Sequence, residues 1–391
     1  MGITANSVNL VQYQVLEIPE TGDSAEWARP LLEANAFASI DNSTEESAIG
    51  WATIDDPMNA DFTDPRDFFR SPYLCFTLRQ DRRRVPSALL RRRLKEAEAE
   101  FLSSHPTLLR VPKQKREELR ESVHNSLLAR TLPTPSTFDI AWNVERGLLF
   151  FTGTSSRAIE AFEGLFRQTF PELRLVARHP FAHARSVVNP DLQDTLEDLN
   201  QAATDAVVEM TEANAWLGQD FLYWLLYATV EGRDRFKVNQ DGPAVRDELF
   251  TAFLDNRLVL TGLGDHGPQK ITVAGPQENF SEVRAALARG KAISEATIHF
   301  EKMENEWKTN LKSEPFYFGS FKGPAVKLEK DEITDEKSEH EAVFLEKMHV
   351  LEEGMQLFDS LLAAFLRERL AEDWSARSEE MKAQLLSETS V

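Results

Sequence analysis

The sequence predicts an α+β protein of mixed α/β subdomains, with a basic helical hairpin projecting from it as an arm. Three observations carry this. Apolar residues recur at every second position in short segments, as in Phe138, Ile140, Trp142 and Val144, the period of a strand with one buried face. Helical periods fall between these segments, from Ile159, Phe162 and Phe166 to a long stripe near the C-terminus. Two proline-opened helical segments stand back to back over 86–129, each with only a narrow apolar stripe.

In chain order, 10–18 reads as a strand. Ser24 can cap a helix to about residue 37 that holds Trp27, Leu31 and Leu32, with Pro30 in its first turn or bending it. Residues 48–54 (AIGWATI) form a second strand, an acidic loop (DDPMNADFTDPRD) follows, and 73–79 is a third strand. Pro86 fits the first turn of a helix to about Ser104, closed by His105-Pro106. Leu90, Leu94, Ala97 and Phe101 mark its apolar face. Pro112 opens a second helix to about Ala129, with Leu119, Val123 and Leu127 on one side. The pair predicts an antiparallel hairpin whose helices are each about 27 Å long. Its tip is expected at 130–135 (RTLPTP), where two prolines stiffen the turn and Leu132 is the single large apolar residue.

Beyond it, 148–152 pairs back through the turn at Gly147, Ser155 or Ser156 caps a helix, and 173–177 closes a β-β-α-β unit. A helical pattern covers 191–229, a hairpin lies around 258–273, and a helix covers 280–289. A strand at 297–304 is expected to pair with one at 315–321. An acidic linker (KLEKDEITDEKSEHE) precedes a final amphipathic helix at 344–370. The expected domains are 1–78 with 136–178, the arm at 79–135, and a C-terminal α+β domain at 179–391.

Composition narrows the function. A hydrophobic share of 42% supports a real core, and one cysteine, Cys75, excludes an intrachain disulfide and points to a reducing compartment. The N-terminus lacks the basic flank and apolar run of a signal peptide. The most apolar stretch, 221–230, is far short of the roughly 20 residues of a membrane span and reads as a buried helix. A cytoplasmic protein without a membrane partner is expected. The net charge of −20 argues against nucleic acid until its distribution is read. Between Arg79 and Arg120 lie 13 Lys or Arg against 6 Asp or Glu, a local +7 that leaves −27 for the remainder.

The arm therefore carries the candidate site. Arg82, Arg83 and Arg84 lead into the first helix, which bears Arg91, Arg92 and Arg93 off its apolar stripe. The second helix offers Lys113, Arg116 and Arg120 on one face at i, i+3 and i+7, with Lys115 beside them. Arginines arrayed along one surface suit phosphate, because each guanidinium can donate two parallel hydrogen bonds. Glu96, Glu98, Glu100, Glu117 and Glu118 are interleaved with them, so a solvated charged helix is the competing reading.

Other motifs dissolve on inspection. Gly262, Gly264 and Gly267 spell G-x-G-x-x-G, but Pro268 and the strand-like KITV follow where a dinucleotide site needs a helix. Asp55, Asp56, Asp61, Asp64 and Asp67 lack the spacing of a calcium loop and read as a solvated loop. His179 and His183 are four apart, but Pro180 spoils a helical ligand pair. Cys75 lies in an apolar strand as core. The stripe Phe344, Leu345, Met348, Leu351, Met355, Phe358, Leu362, Phe365 suits core better than a dimer face. No catalytic constellation, metal set or cofactor site emerges, and a protein that is not an enzyme is expected.

The order of elements resembles the recombination-associated protein RdgC family. The likeness runs through Gly50-Trp51, VPSALLRRRLKEAEAEF and ELRESVHNSLLARTLPTPSTFDIAWNVERGLLFFTGTSSRAIEAFEGLF, then ARGKAISEATIHFEKMENEWKTNL and the final helix. The resemblance implies a horseshoe-shaped subunit that pairs into a ring homodimer. Such a ring encloses double-stranded DNA, with single-stranded DNA as the alternative, without sequence preference, is nucleoid-associated, and limits recombination driven by a RecA-type recombinase. Carried onto this chain, the arm's basic residues with Arg130 at the tip line the hole, and Lys270 and Lys291 are further candidates. The chain departs from compact members in its helical stretch at 180–232 and in Leu132-Pro133, where other tips carry an aromatic. Two other readings compete: an acidic protein that binds a basic partner without touching DNA, and a metal-dependent nuclease.

Overall fold

The structure is a computed structural model that describes residues 2–19, 22–43, 45–264, 267–276, 280–326 and 335–387. It is α+β, with one large, almost wholly antiparallel sheet. In the N-terminal half the elements are β1 (Val8–Leu16), α1 (Ser24–Ala34), β2 (Ser47–Thr53), β3 (Phe69–Arg70), β4 (Tyr73–Arg82), α2 (Ser87–Ser104), α3 (Lys113–Leu128), β5 (Thr134–Asn143), β6 (Leu148–Phe151), α4 (Ser156–Thr169) and β7 (Arg174–Ala177). Helices α5 (Pro180–Val187), α6 (Gln193–Asp198), α7 (Val207–Ala213) and α8 (Ala215–Val230) follow. The rest is β8 (Arg235–Lys237), β9 (Leu249–Gly264), β10 (Gly267–Ala274), α9 (Ser281–Ala288), β11 (Ala292–Lys302), β12 (Asn305–Lys312), β13 (Tyr317–Lys322), α10 (Glu336–Arg369) and α11 (Trp374–Ser387).

The strand order is β10-β9-β11-β12-β13-β1-β6-β5-β4-β2. β1 is the seam: Val8 and Leu10 pair with β13, and Val11 to Gln14 pair with β6. Alternation assigns the two faces of the N-terminal strands to different cores. Leu74, Phe76, Ile140 and Trp142 pack in one cluster with Phe162 and Phe166 of α4 and Leu32 of α1. Tyr73, Cys75 and Ala141 point the other way, into a cluster with α5, α8 and α10. There Tyr73 meets Phe344 edge-on at 5.8 Å. Cys75 is fully buried, and burial pushes its thiol up to about 12. Gly218 of α8 lies so close to the turn after β12 that a Cβ would sit 2.0 Å from the Ser313 carbonyl oxygen.

Several expectations are corrected. Asp23, not Ser24, caps α1, its carboxylate accepting the N–H groups of Ala25 and Glu26, and Pro30 sits inside the helix beyond the first turn. The strand at 297–304 does not pair with 315–321, because β12 lies between them. Pro180 opens α5 rather than preventing it; His179 is the N-cap and His183 is in the helix, bonded to Asp359 at 2.5 Å. α10 begins at Glu336, inside the expected linker, whose residues 327–334 lie outside the described residues. The acidic loop is not merely solvated: Lys337 of α10 pairs with Asp64 and Asp67, and Arg66 with Asp335. Finally, 130–135 is not the tip of the arm but its root, since Arg82 pairs with Thr134 and Asp81 with Pro135 in the sheet.

Candidate nucleic-acid interface

The arm is an insertion between two adjacent strands. β4 and β5 pair without a break from Tyr73 opposite Asn143 to Arg82 opposite Thr134. The chain leaves the sheet at the end of β4, runs out along α2, turns, and returns along α3 to the neighbouring strand. Nothing in α2 is buried, and in α3 only Leu128 is. The two helices pack on each other, and their half-buried stripes show why a 3.6-residue period with few apolar positions gives a projecting hairpin rather than a core element. Arg116 of α3 reaches Glu98 of α2 at 2.6 Å, and Lys115 lies 5.9 Å from the Phe101 ring. The true tip is the loop at 105–112, where Leu109 is fully exposed.

The cations divide into three groups. Arg83 is structural, which corrects its assignment to phosphate. It is 4% exposed. One terminal nitrogen donates to the carbonyls of Leu128 and Thr131, and the other to those of Ile40, Asp41 and Ser43. The guanidinium thus ties the root of the arm to the segment before β2; its Nε has no partner but is buried, so the cation presents no donor at the surface for a ligand.

Arg92 and Arg93 share Glu96, at 3.1 and 2.9 Å, and hold its carboxyl below the ordinary range. Lys115 pairs with Glu118 at 2.9 Å. Exposed pairs of this kind are worth about 0.2–1 kcal/mol, so a phosphate can replace the carboxylate at small cost.

A third group has no ion-pair partner among the described residues: Arg84, Arg91, Lys95, Arg110, Lys113, Arg120 and Arg130, all exposed, and the half-buried Arg82. Arg91 only touches its own helix, at the Ser87 carbonyl. Arg130 belongs to the root.

Lys270 and Lys291 are not brought to the arm. They lie on and beside β10, at the opposite edge of the sheet from β4. Lys270 is exposed, whereas Lys291 is 7% exposed and donates to Gln269 at 2.9 Å. Its low exposure, with the ammonium held on the Gln269 side chain, speaks against a DNA contact there.

The sequence reading missed Arg157. It sits in the first turn of α4, exposed and without an ion-pair partner among the described residues, beside Arg82 and Arg84. A signal existed: a cation placed directly after a Ser-Ser cap opposes the helix dipole.

Among the described residues, no three His, Cys, Asp or Glu side chains gather as a metal set, and no helix is long and apolar enough to cross a membrane. Residues 9–195, just under half of the chain, match a family model described as "RdgC: Putative exonuclease, RdgC". No curated protein matches the chain.

Proposed function

The chain belongs to the RdgC family through residues 9–195, and on that premise we propose that it is a recombination-associated protein that binds DNA without sequence preference through its arm and does not cleave it. One observation carries the reading. In a chain of net charge −20, residues 79–120 hold 13 Lys or Arg against 6 Asp or Glu, and most of this stretch is a hairpin that contributes almost nothing to the core. An element that costs chain length and charge repulsion without adding burial is explained by what it touches outside the protein. Its contacts are to phosphates, because the cations lie along helices and present no matched set of donors and acceptors to base edges.

In the same reading the protein is a homodimer that closes around the duplex and limits recombination by a RecA-type recombinase. A basic lining and an acidic exterior hold one duplex inside and repel others outside. Leu109, exposed at the true tip, is the apolar residue on which two arms meet.

Binding in EDTA tests the reading. Duplexes of unrelated sequence should bind within about threefold of one another; no binding to any of them contradicts it and favours an acidic partner-binding protein. The family description supports a second reading, an exonuclease. End-labelled DNA incubated with Mg²⁺ should keep its length, and progressive shortening would establish the nuclease instead.

A further inference from the structure

β4 and β5 continue past their last core pair, Leu78 opposite Phe138. On that same face the next pairs set Gln80 opposite Ser136 and Arg82 opposite Thr134, because alternate residues share a face. Arg84 follows, and the start of α4 brings Ser155 and Arg157 over the strip. These residues line a cleft of about 290 Å³ at the root of the arm, with Phe138 in its wall.

Two independent features of the cleft call for an anion. Its three arginines have no ion-pair partner among the described residues, and no acidic side chain lines it. Mutual repulsion of three cations in one small space is relieved when a phosphate accepts their hydrogen bonds. The second feature is the helix that opens there. Ser155 caps it by accepting the Ala158 N–H, and its first turn carries Arg157 and no acid. The partial positive charge of a helix N-terminus favours an anion and disfavours a cation, so Arg157 adds to the positive potential of the cleft rather than offsetting it.

Shape separates one phosphate from many. The helical arm spreads its cations along two rods, as a duplex backbone requires. The cleft instead converges three guanidinium groups and the hydroxyls of Thr134, Ser136 and Ser155 on a space the size of one nucleotide, with an aromatic wall.

We propose that this cleft binds a single phosphomonoester carried by a nucleotide: the phosphorylated end of a DNA strand, or a free nucleoside monophosphate. The strand-end form rests on the DNA-binding reading above; the free-nucleotide form does not.

The test uses a short duplex with a 5′-phosphate, a 3′-phosphate or hydroxyl ends, bound to the wild-type chain and to Arg157→Ala, an exposed substitution that leaves the Ser155 cap in place. Adenosine monophosphate and adenosine serve as free probes. One phosphorylated end should bind the wild type at least about fivefold tighter than the hydroxyl end, or adenosine monophosphate should bind where adenosine does not. In Arg157→Ala the phosphate preference should vanish, so that phosphorylated and hydroxyl-ended duplexes bind this variant within about twofold of each other. If the wild type treats all three duplex ends alike and binds adenosine monophosphate no better than adenosine, the proposal is overturned. Failure of every duplex to bind contradicts the DNA reading instead, and the free nucleotide then decides the cleft alone.

Discussion

Arg83 and Arg84 are neighbours in an arginine triplet and do opposite work. Arg83 spends its guanidinium on five backbone carbonyls, and Arg84 faces solvent in the lining of a cleft. Arg83→Ala should lower unfolding stability in urea by about 2–4 kcal/mol, because charge-assisted bonds disappear and carbonyls are left without donors. Arg84→Ala should change stability by no more than about 0.5 kcal/mol and yet weaken DNA binding. The reverse pattern would contradict the assignment. The triplet announced a basic site, but its division of labour was illegible in the sequence, since the acceptors for Arg83 come from 40–43 and 128–131 and only the fold brings them together. His179 gives a second prediction at this scale. Its Nδ1 accepts the Ala182 N–H at 3.4 Å to cap α5, and burial pulls its pKa down from 6.5 to about 4. The unfolded chain takes up the proton at higher pH than the folded one. The contribution of neutral His179 is therefore complete above about pH 6.5 and is lost as pH falls toward 4. His179→Asn keeps a capping oxygen without the proton uptake. The wild type should lose urea stability relative to this variant across that window, and a constant difference from pH 7 to pH 4 would contradict it.

At the scale of elements, the arm is separable from the sheet. Because β4 and β5 are already paired up to Arg82 and Thr134, a short Gly-Ser turn can replace 84–133 and leave a continuous hairpin. The shortened protein should melt within a few degrees of the wild type, since the arm buries only Leu128 and the Arg83 anchor, and should lose most DNA affinity. Unfolding of the shortened chain would show the arm to be part of the core. The arm's existence, bounds and basic face were legible because prolines opened both helices and the apolar stripes were clean. Its direction was misread: a proline-rich turn looked like a tip, whereas the pairing of Thr134 with Arg82 makes it the root. β12 was missed because NEWKTNLK is mostly polar, although Trp307, Thr309 and Leu311 alternate inward along it. α11 left no strong trace, for among its described side chains only Met381 and Leu385 are buried.

The whole molecule separates its charge. The arm carries a local excess of positive charge, and part of the acidic excess elsewhere is used internally, where Asp64 and Asp67 of the loop before β3 hold Lys337 at the start of α10. If two such subunits meet through the tips of their arms, light scattering should give a mass near twice 44.4 kDa. Leu109→Asp, which puts a charge where an apolar contact would form, should shift the mass toward one subunit; an unchanged dimer would place the contact elsewhere. The central claim is that the arm binds phosphates, and salt tests it most directly. Affinity for one duplex is measured against salt concentration for the wild type and for a variant with Arg84, Arg91, Lys113 and Arg120 changed to Gln. Every cation–phosphate pair removed should reduce the log–log slope by roughly 0.9, and the affinity should fall alike on every sequence. A folded variant with the wild-type slope would contradict the account.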